Sequence, residues 1–440
     1  MVDRLWCEVS VRILWKSIWN YNTLFACLPN ESKEILHKNK IFISTPTSKP
    51  PLFNYVTFIK TLSINEIIRK IKNIPNKNKL IVIQELLKMF MKGISLKELN
   101  IRYHPYHSLN LPFTTYPGAI DCLKNLSKLN CDSDNHSELF YQLSQICHHI
   151  QSLEINVQRV ISGRLKDLIS VQQKLKHLSL NMYFYSEDLK DIISSITKLS
   201  NNLIKLNLFG DEFTMPLSFI AKFTNLQEIG LKFFNNGDNS FEGFEKLQHV
   251  TFPQLHILKF IYGYPKHKDL SKFLESNGKN LEKLYFEDCC VKDSLNLVIA
   301  KFCSNLKSLC TTFLDNELET LKVILNHCQQ LESIRVLYDY RLNHLNEGEL
   351  LEGVAKYSPK SFHKLKISYG YGVHSELFSE KLEYFFINWM NRVPQKPLSL
   401  IIVDKEDSMK SLVVEKENME VIEKYIKLGV IEEFETREFD

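Results

Sequence analysis

The sequence predicts an α/β solenoid, with short parallel strands stacked along one side and helices returning along the other, behind a helical N-terminal region. Three observations lead there. A six-residue apolar pattern recurs at a near-constant period, the spacing between its copies changes from strand-like to helical, and no catalytic motif interrupts them. A chain of 440 residues is also long for one globular core, so several domains or one elongated array is expected.

The pattern is L-x-x-L-x-L, with Ile, Phe, Val or Cys allowed at the apolar places. Its copies are Leu96/Leu99/Ile101, Leu126/Leu129/Cys131, Ile150/Leu153/Ile155, Leu175/Leu178/Leu180 and Leu203/Leu206/Leu208. They continue as Leu226/Ile229/Leu231, Leu255/Leu258/Phe260, Leu281/Leu284/Phe286, Leu331/Ile334/Val336 and Phe362/Leu365/Ile367. One further copy, Leu306/Leu309, has Thr311 where the last apolar residue belongs. The eleven starts lie 23 to 31 residues apart. One such hexamer carries no information in a Leu-rich protein, but eleven near one period are the signature of leucine-rich repeats, which run ~20–29 residues.

The final half of each hexamer alternates apolar and polar, the period of a strand with one buried face. So short a strand is unstable alone and buries its apolar side only by stacking beside the next copy. Between copies the period becomes helical: Leu139, Leu143 and Ile146 are spaced i, i+4, i+7, and Leu318, Leu321 and Leu325 are spaced i, i+3, i+7. Ser186 followed by Glu187 and Asp188 reads as the cap and acidic first turn of another helix, and Pro216 stands where a helix should begin. Strand, turn, helix and return make a leucine-rich-repeat horseshoe over 93–395, strands inside and helices outside. Cys147, Cys303 and Cys328 each lie three residues before a hexamer start, as small buried side chains at the end of a helix. That register resembles the cysteine-containing repeats of the F-box/LRR proteins.

Residues 21–92 read as a helical linker and N-terminal cap, in which 80–90 form an amphipathic helix feeding the first strand. Within 1–20, Val2, Arg4 and Trp6, followed by Leu14 and Trp15, match the V-x-[KR]-x-W and L-W elements of the last helix of an F-box. The layout resembles the expanded F-box-like families of fungi with the final third of an F-box present; the segment that opens such a domain would lie upstream of Met1. The resemblance implies Val2, Arg4, Trp6, Leu14 and Trp15 as adaptor-binding residues. At the far end, 396–440 offer a last strand at 398–403, a cap helix at 417–428 and an acidic, solvated tail around Glu432 and Glu433.

Composition excludes several classes. The formal charge of +4 is small and its charges are interspersed, without the basic stripe that phosphate neutralisation requires. No apolar signal-like segment opens the chain, and no uncharged apolar run nears the ~18 residues of a spanning helix. Ten cysteines without CxxC pairing fit reduced thiols in the cytosol or nucleus. His104 with His107, the pair His148 and His149, and Cys289 with Cys290 lack the further convergent ligands of a metal centre. No phosphate-cradling, nucleophile-elbow or zincin motif occurs. The expectation is a chain that is not an enzyme, with no cofactor and no metal.

Function then falls to the concave face. In each repeat the third, fifth and seventh residues point outward, because strand residues alternate. They are Lys205, Asn207 and Phe209; Glu228, Gly230 and Lys232; Ile257, Lys259 and Ile261; Lys283, Tyr285 and Glu287; Ser333, Arg335 and Leu337. Phe209, Ile261 and Tyr285 among Lys232, Lys259 and Arg335 have the composition of a protein-interface anchor. The plainer reading is that loops cover these side chains, or that they are scattered singly. The expected partner is a target protein. Two roles fit: substrate receptor of a Skp–cullin–F-box ubiquitin ligase, with Skp adaptor and cullin as further partners, or an interaction scaffold without ubiquitin chemistry. Neither calls for nucleic acid or a membrane, and the chain is expected to be monomeric outside its complex.

Overall fold

In a computed structural model of the chain, each of the eleven hexamers becomes a strand. The described residues are 4–18, 20–43, 51–102, 111–182, 189–210, 216–234, 241–287, 289, 295–393, 396–404 and 411–438. They fall into two compact units, Met1–Leu203 and Ile204–Asp440. The helix start read at Ser186 to Asp188 lies outside the described residues; the helix itself is described from Leu189–Thr197.

The first unit contains β1 (Thr61–Ser63), β2 (Glu98–Ile101), β3 (Lys128–Asp132), β4 (Ser152–Val157) and β5 (His177–Met182). They pair in chain order and all in parallel. Leu62, Leu99, Leu129, Leu153 and Leu178 stand side by side across the ladder, each buried. β1 precedes the first hexamer, so the sheet begins one strand earlier than the pattern does. Its last residue, Ser63, doubles as the cap of the helix Ile64–Lys70, its hydroxyl accepting from the Glu66 N–H at 3.3 Å.

The second unit contains β6 (Lys205–Gly210), β7 (Glu228–Phe233), β8 (Ile257–Ile261), β9 (Lys283–Glu287), β10 (Ser308–Thr311), β11 (Ser333–Tyr338), β12 (Lys364–Tyr369), β13 (Leu398–Asp404) and β14 (Ile431–Glu438). These too are parallel and in chain order. Leu206, Ile229, Leu258, Leu284, Leu309, Ile334, Leu365 and Leu400 form one continuous buried row. Burying each such side chain contributes ~1.5–3 kcal/mol. A one-residue slip would turn the whole row to solvent, which is why the register is uniform. The ladder makes the chain an α/β leucine-rich-repeat solenoid with a helical N-terminal segment.

Cys147, Cys303 and Cys328 lie immediately after the helices Ser137–Ile146, Leu295–Phe302 and Leu318–His327, and all three are fully buried. The degenerate repeat keeps its strand because Thr311 takes the inward place with its hydroxyl satisfied, donating to Asn296 Oδ1 at 2.9 Å. After Pro216 the chain forms a 3-10 helix, Leu217–Lys222, not an α-helix. The acidic end is likewise no solvated tail. Glu432 to Glu435 belong to β14, where Phe434 pairs with Leu400 and the backbone completes the edge of β13. Alternating charges on that outermost strand blunt it against further pairing.

Leu337 departs from its expected outward exposure: it is buried. It shares its row with the small Ser368 and the aliphatic Val403, both buried, so that end of the face is closed. Among the described residues no helix is long and apolar enough to cross a membrane.

Candidate functional site

The outward face of the second unit begins with three aligned rows. Lys205, Glu228, Ile257 and Lys283 form the first, Asn207, Gly230, Lys259 and Tyr285 the second, and Phe209, Lys232, Ile261 and Glu287 the third. Alternation places them; what they touch depends on their neighbours. Gly230 makes room for the Asn207 amide, whose oxygen would stand only 2.5 Å from a Cβ at that position.

In the third row stands an aromatic cluster built around a lysine. The Lys232 ammonium lies 4.8 Å from the centre of the Phe209 ring, 5.5 Å from Phe234 and 5.4 Å from Tyr262. Phe209 meets Phe234 edge-on at 5.2 Å, and Phe234 stacks on Tyr262 at 4.3 Å. At exposed positions a cation over one ring is worth ~0.5–1 kcal/mol. Phe234 is 43% exposed, so the cluster is open to solvent. Tyr262 has a left-handed backbone, φ 68°, a conformation costing ~1–2 kcal/mol for a residue with a side chain. Its N–H donates to the Glu287 carbonyl at 2.9 Å, which holds the residue just past β8.

Of the other basic residues of the face, Lys205, Lys259 and Arg335 are engaged, and Lys283 is exposed. Lys259 and Lys205 both bind Glu228, at 2.8 and 3.1 Å. Burial raises the Glu228 carboxyl, but hydrogen bonds from Lys259 and Lys205 outweigh it and hold the group below the usual range. Lys259 also stands 5.8 Å from the Tyr285 ring, whose hydroxyl reaches Ser308 Oγ at 3.4 Å. Arg335 lies two strands beyond β9, donating to Ser368 Oγ at 2.9 Å and facing Glu287 at 3.8 Å. Thus Phe209, Lys232 and Ile261 are brought into one row, Lys259 and Tyr285 into the adjacent one, and Arg335 into a separate polar group. Phe234 and Tyr262 were not among the residues the sequence singled out. Phe234 is the next outward place after Lys232 by the same alternation, which could have found it; Tyr262 directly follows Ile261 with positive φ and has no such signal.

The outward face of the first unit is of another kind. Asn181 donates to Glu154 Oε1 at 2.8 Å and to Asn156 Oδ1 at 2.9 Å, Asn156 donates to Asp132 Oδ1 at 2.9 Å, and Arg102 pairs with Glu154. These groups spend their hydrogen bonds on one another, in a ladder that fixes neighbouring strands.

At the N-terminus, the helix Arg4–Leu14 shows Trp6, Val9 and Ile13 on one exposed stripe, with Trp6 67% accessible. Leu14 is exposed as well. Trp15 is buried, its ring 4.5 Å from that of Tyr55, so it serves the chain's own core. Val2 lies outside the described residues, and Arg4 is placed only as the first residue of the helix. Of the residues weighed for metal binding, His104, His107 and Cys290 lie outside the described residues; His148 and His149 are exposed and Cys289 is buried. Among the described residues no three His, Cys, Asp or Glu side chains converge as a metal site would require.

No family model matches the chain, and no curated protein matches it either. Solved structures do. A chain of the TLR13–ssRNA13 complex is similar over 71% of this chain and 42% of its own length, at 15% identity and a TM-score of 0.36. One from the mouse RP105/MD-1 complex is similar over 80% and 56%, at 12% identity and a TM-score of 0.34. A leucine-rich-repeat protein of Leptospira interrogans is similar over 81% and 86%, at 13% identity and a TM-score of 0.37. The chain thus spans less than two thirds of the first two neighbours.

Proposed function

We propose that this chain is a protein-binding module that holds a target on the outward strand face of the Ile204–Asp440 unit, as substrate receptor of a Skp–cullin–F-box ubiquitin ligase. The observation that carries the binding half is the open cluster of Phe209, Phe234 and Tyr262 around Lys232. Aromatic side chains, Phe and Tyr included, are enriched in protein interfaces. The receptor half is supported by the F-box-like residues of the N-terminal helix together with the exposed stripe of Trp6, Val9 and Ile13. On this reading the chain performs no chemistry; it brings a target to subunits that do.

The second reading, a scaffold with no ubiquitin role, is favoured by Trp15, whose burial takes it out of any adaptor contact. Co-purification of the tagged chain with purified Skp adaptor and cullin separates the two. The receptor reading expects the wild type to retain the adaptor and Trp6→Ala or Ile13→Ala to lose most of it. Failure of the wild type to retain the adaptor would leave the scaffold.

A further inference from the structure

We propose that the Lys232 cluster reads a carboxylate of the target: an Asp or Glu on a peptide segment that carries an aliphatic or aromatic side chain beside it. This rests on the protein-binding reading above and adds the chemistry of what is bound. Among the described residues Lys232 has ring contacts and no anionic partner, whereas Lys205 and Lys259 share Glu228. The rings hold the ammonium in place without cancelling its charge. An incoming carboxylate therefore gains a charge-assisted hydrogen bond without displacing a resident anion. The exposed Phe234 ring and the half-buried Ile261, the strand partner of Lys232, lie close by to take the apolar neighbour. A segment presenting Lys or Arg meets like charge instead and is rejected.

The backbone supplies an independent sign that the arrangement is built. Tyr262 carries a strained left-handed conformation, and its ring stacks on Phe234 and faces the ammonium. Such strain persists only where the surroundings over-determine it, and it gathers at binding sites.

The test is selection of a random-peptide display library on the full chain, as wild type, Lys232→Glu and Phe234→Ala, each first shown to melt like the wild type. Lys232→Gln replaces the charge reversal if that variant does not fold. The wild type should enrich Asp or Glu next to Leu, Phe or Trp, and Lys232→Glu should lose these and enrich Lys or Arg. A selected acidic peptide should bind Lys232→Glu at least about tenfold more weakly, and added salt should weaken the wild type's binding. Enrichment of basic or uncharged peptides on the wild type, no enrichment at all, or equal binding of acidic peptides to wild type and Lys232→Glu would overturn the proposal. If Phe234→Ala still loses the selected peptides in that last case, only the charge reading falls. If it keeps them, the surface is not the binding site and the reading it rests on falls as well.

Discussion

Glu347 is a carboxylate nearly sealed from water, 6% exposed, at the start of the helix Glu347–Tyr357. It accepts hydrogen bonds from the Tyr369 hydroxyl, from Ser375 Oγ at 2.8 and 2.9 Å, and from the Glu376 N–H at 2.9 Å. It thereby ties the segment after β12 to the helix before it. Burial raises its pKa, and the hydrogen bonds from Tyr369, Ser375 and Glu376 recover only part of that, so the group stays above its usual 4.5. The native state therefore holds this proton more readily than the unfolded chain. Stability from this group is highest below 4.5, declines as pH rises through the window up to the native value, and is level above it. Denaturant melts across that window should show a steeper decline for the wild type than for Glu347→Gln. Glu347→Ala should lose about 2–3 kcal/mol, because Tyr369 and Glu376 are left without an acceptor. Equal pH slopes for wild type and Glu347→Gln would mean that the carboxyl does not titrate differently in the two states. Nothing in the sequence sets Glu347 apart from Glu349 and Glu352 on the same helix; its burial is made by residues more than twenty positions away.

At the scale of elements, the strands were legible because an apolar residue every second position has one physical use here, and the next repeat supplies the missing cover. What the pattern could not show is where it stops. β1 is only three residues long, and β14 alternates charge where other strands alternate apolar side chains, yet both pair through the backbone, which sequence periodicity does not register. The joints between helix and strand were equally hidden. Asn277, fully buried at the end of the helix His267–Asn277, accepts from the Phe252 N–H at 2.7 Å and donates to the Val250 and Phe273 carbonyls at 3.0 and 3.2 Å. Gln172 does the same in the first unit, accepting from the Ile150 N–H at 3.0 Å and donating to the Cys147 and Leu168 carbonyls at 2.6 and 2.9 Å. Each amide replaces backbone partners that an irregular turn cannot supply. Asn277→Ala should therefore cost about 2–4 kcal/mol in denaturant unfolding. Asn305→Ala, which removes an exposed bond to the Lys279 carbonyl, should cost less than about 1 kcal/mol. Comparable losses from the two would show that the buried amide is not the joint.

At the scale of the whole chain, the outward rows could be read by counting from each hexamer, which placed Phe209, Lys232, Lys259, Ile261 and Tyr285 on one face of one unit. Phe234 escaped because the count stopped at the seventh residue although alternation continues to it, and Tyr262 because it joins the cluster through a positive-φ strand exit that no alternation rule fixes. The inward side carries a different record of the same repeats. Among the described residues eight cysteines are free thiols, and all but the half-buried Cys27 are buried, with Cys122, Cys131 and Cys147 in the first unit and Cys289, Cys303, Cys310 and Cys328 in the second. Burial pushes the thiols of Cys122, Cys147 and Cys328 up to about 12, so almost none is present as the nucleophilic thiolate near neutral pH. Each repeat is held chiefly by its neighbours, so opening a repeat exposes its own thiol. Alkylation followed by mass spectrometry should label Cys27 in native buffer before the seven buried thiols, which should be slower by orders of magnitude. Rising denaturant should bring in the buried set as the circular-dichroism signal of the strands and helices is lost. Labelling of Cys303 or Cys328 at the rate of Cys27 without denaturant would mean that the helix ends carrying them do not close the core, and with it the reason those cysteines keep register with the repeats.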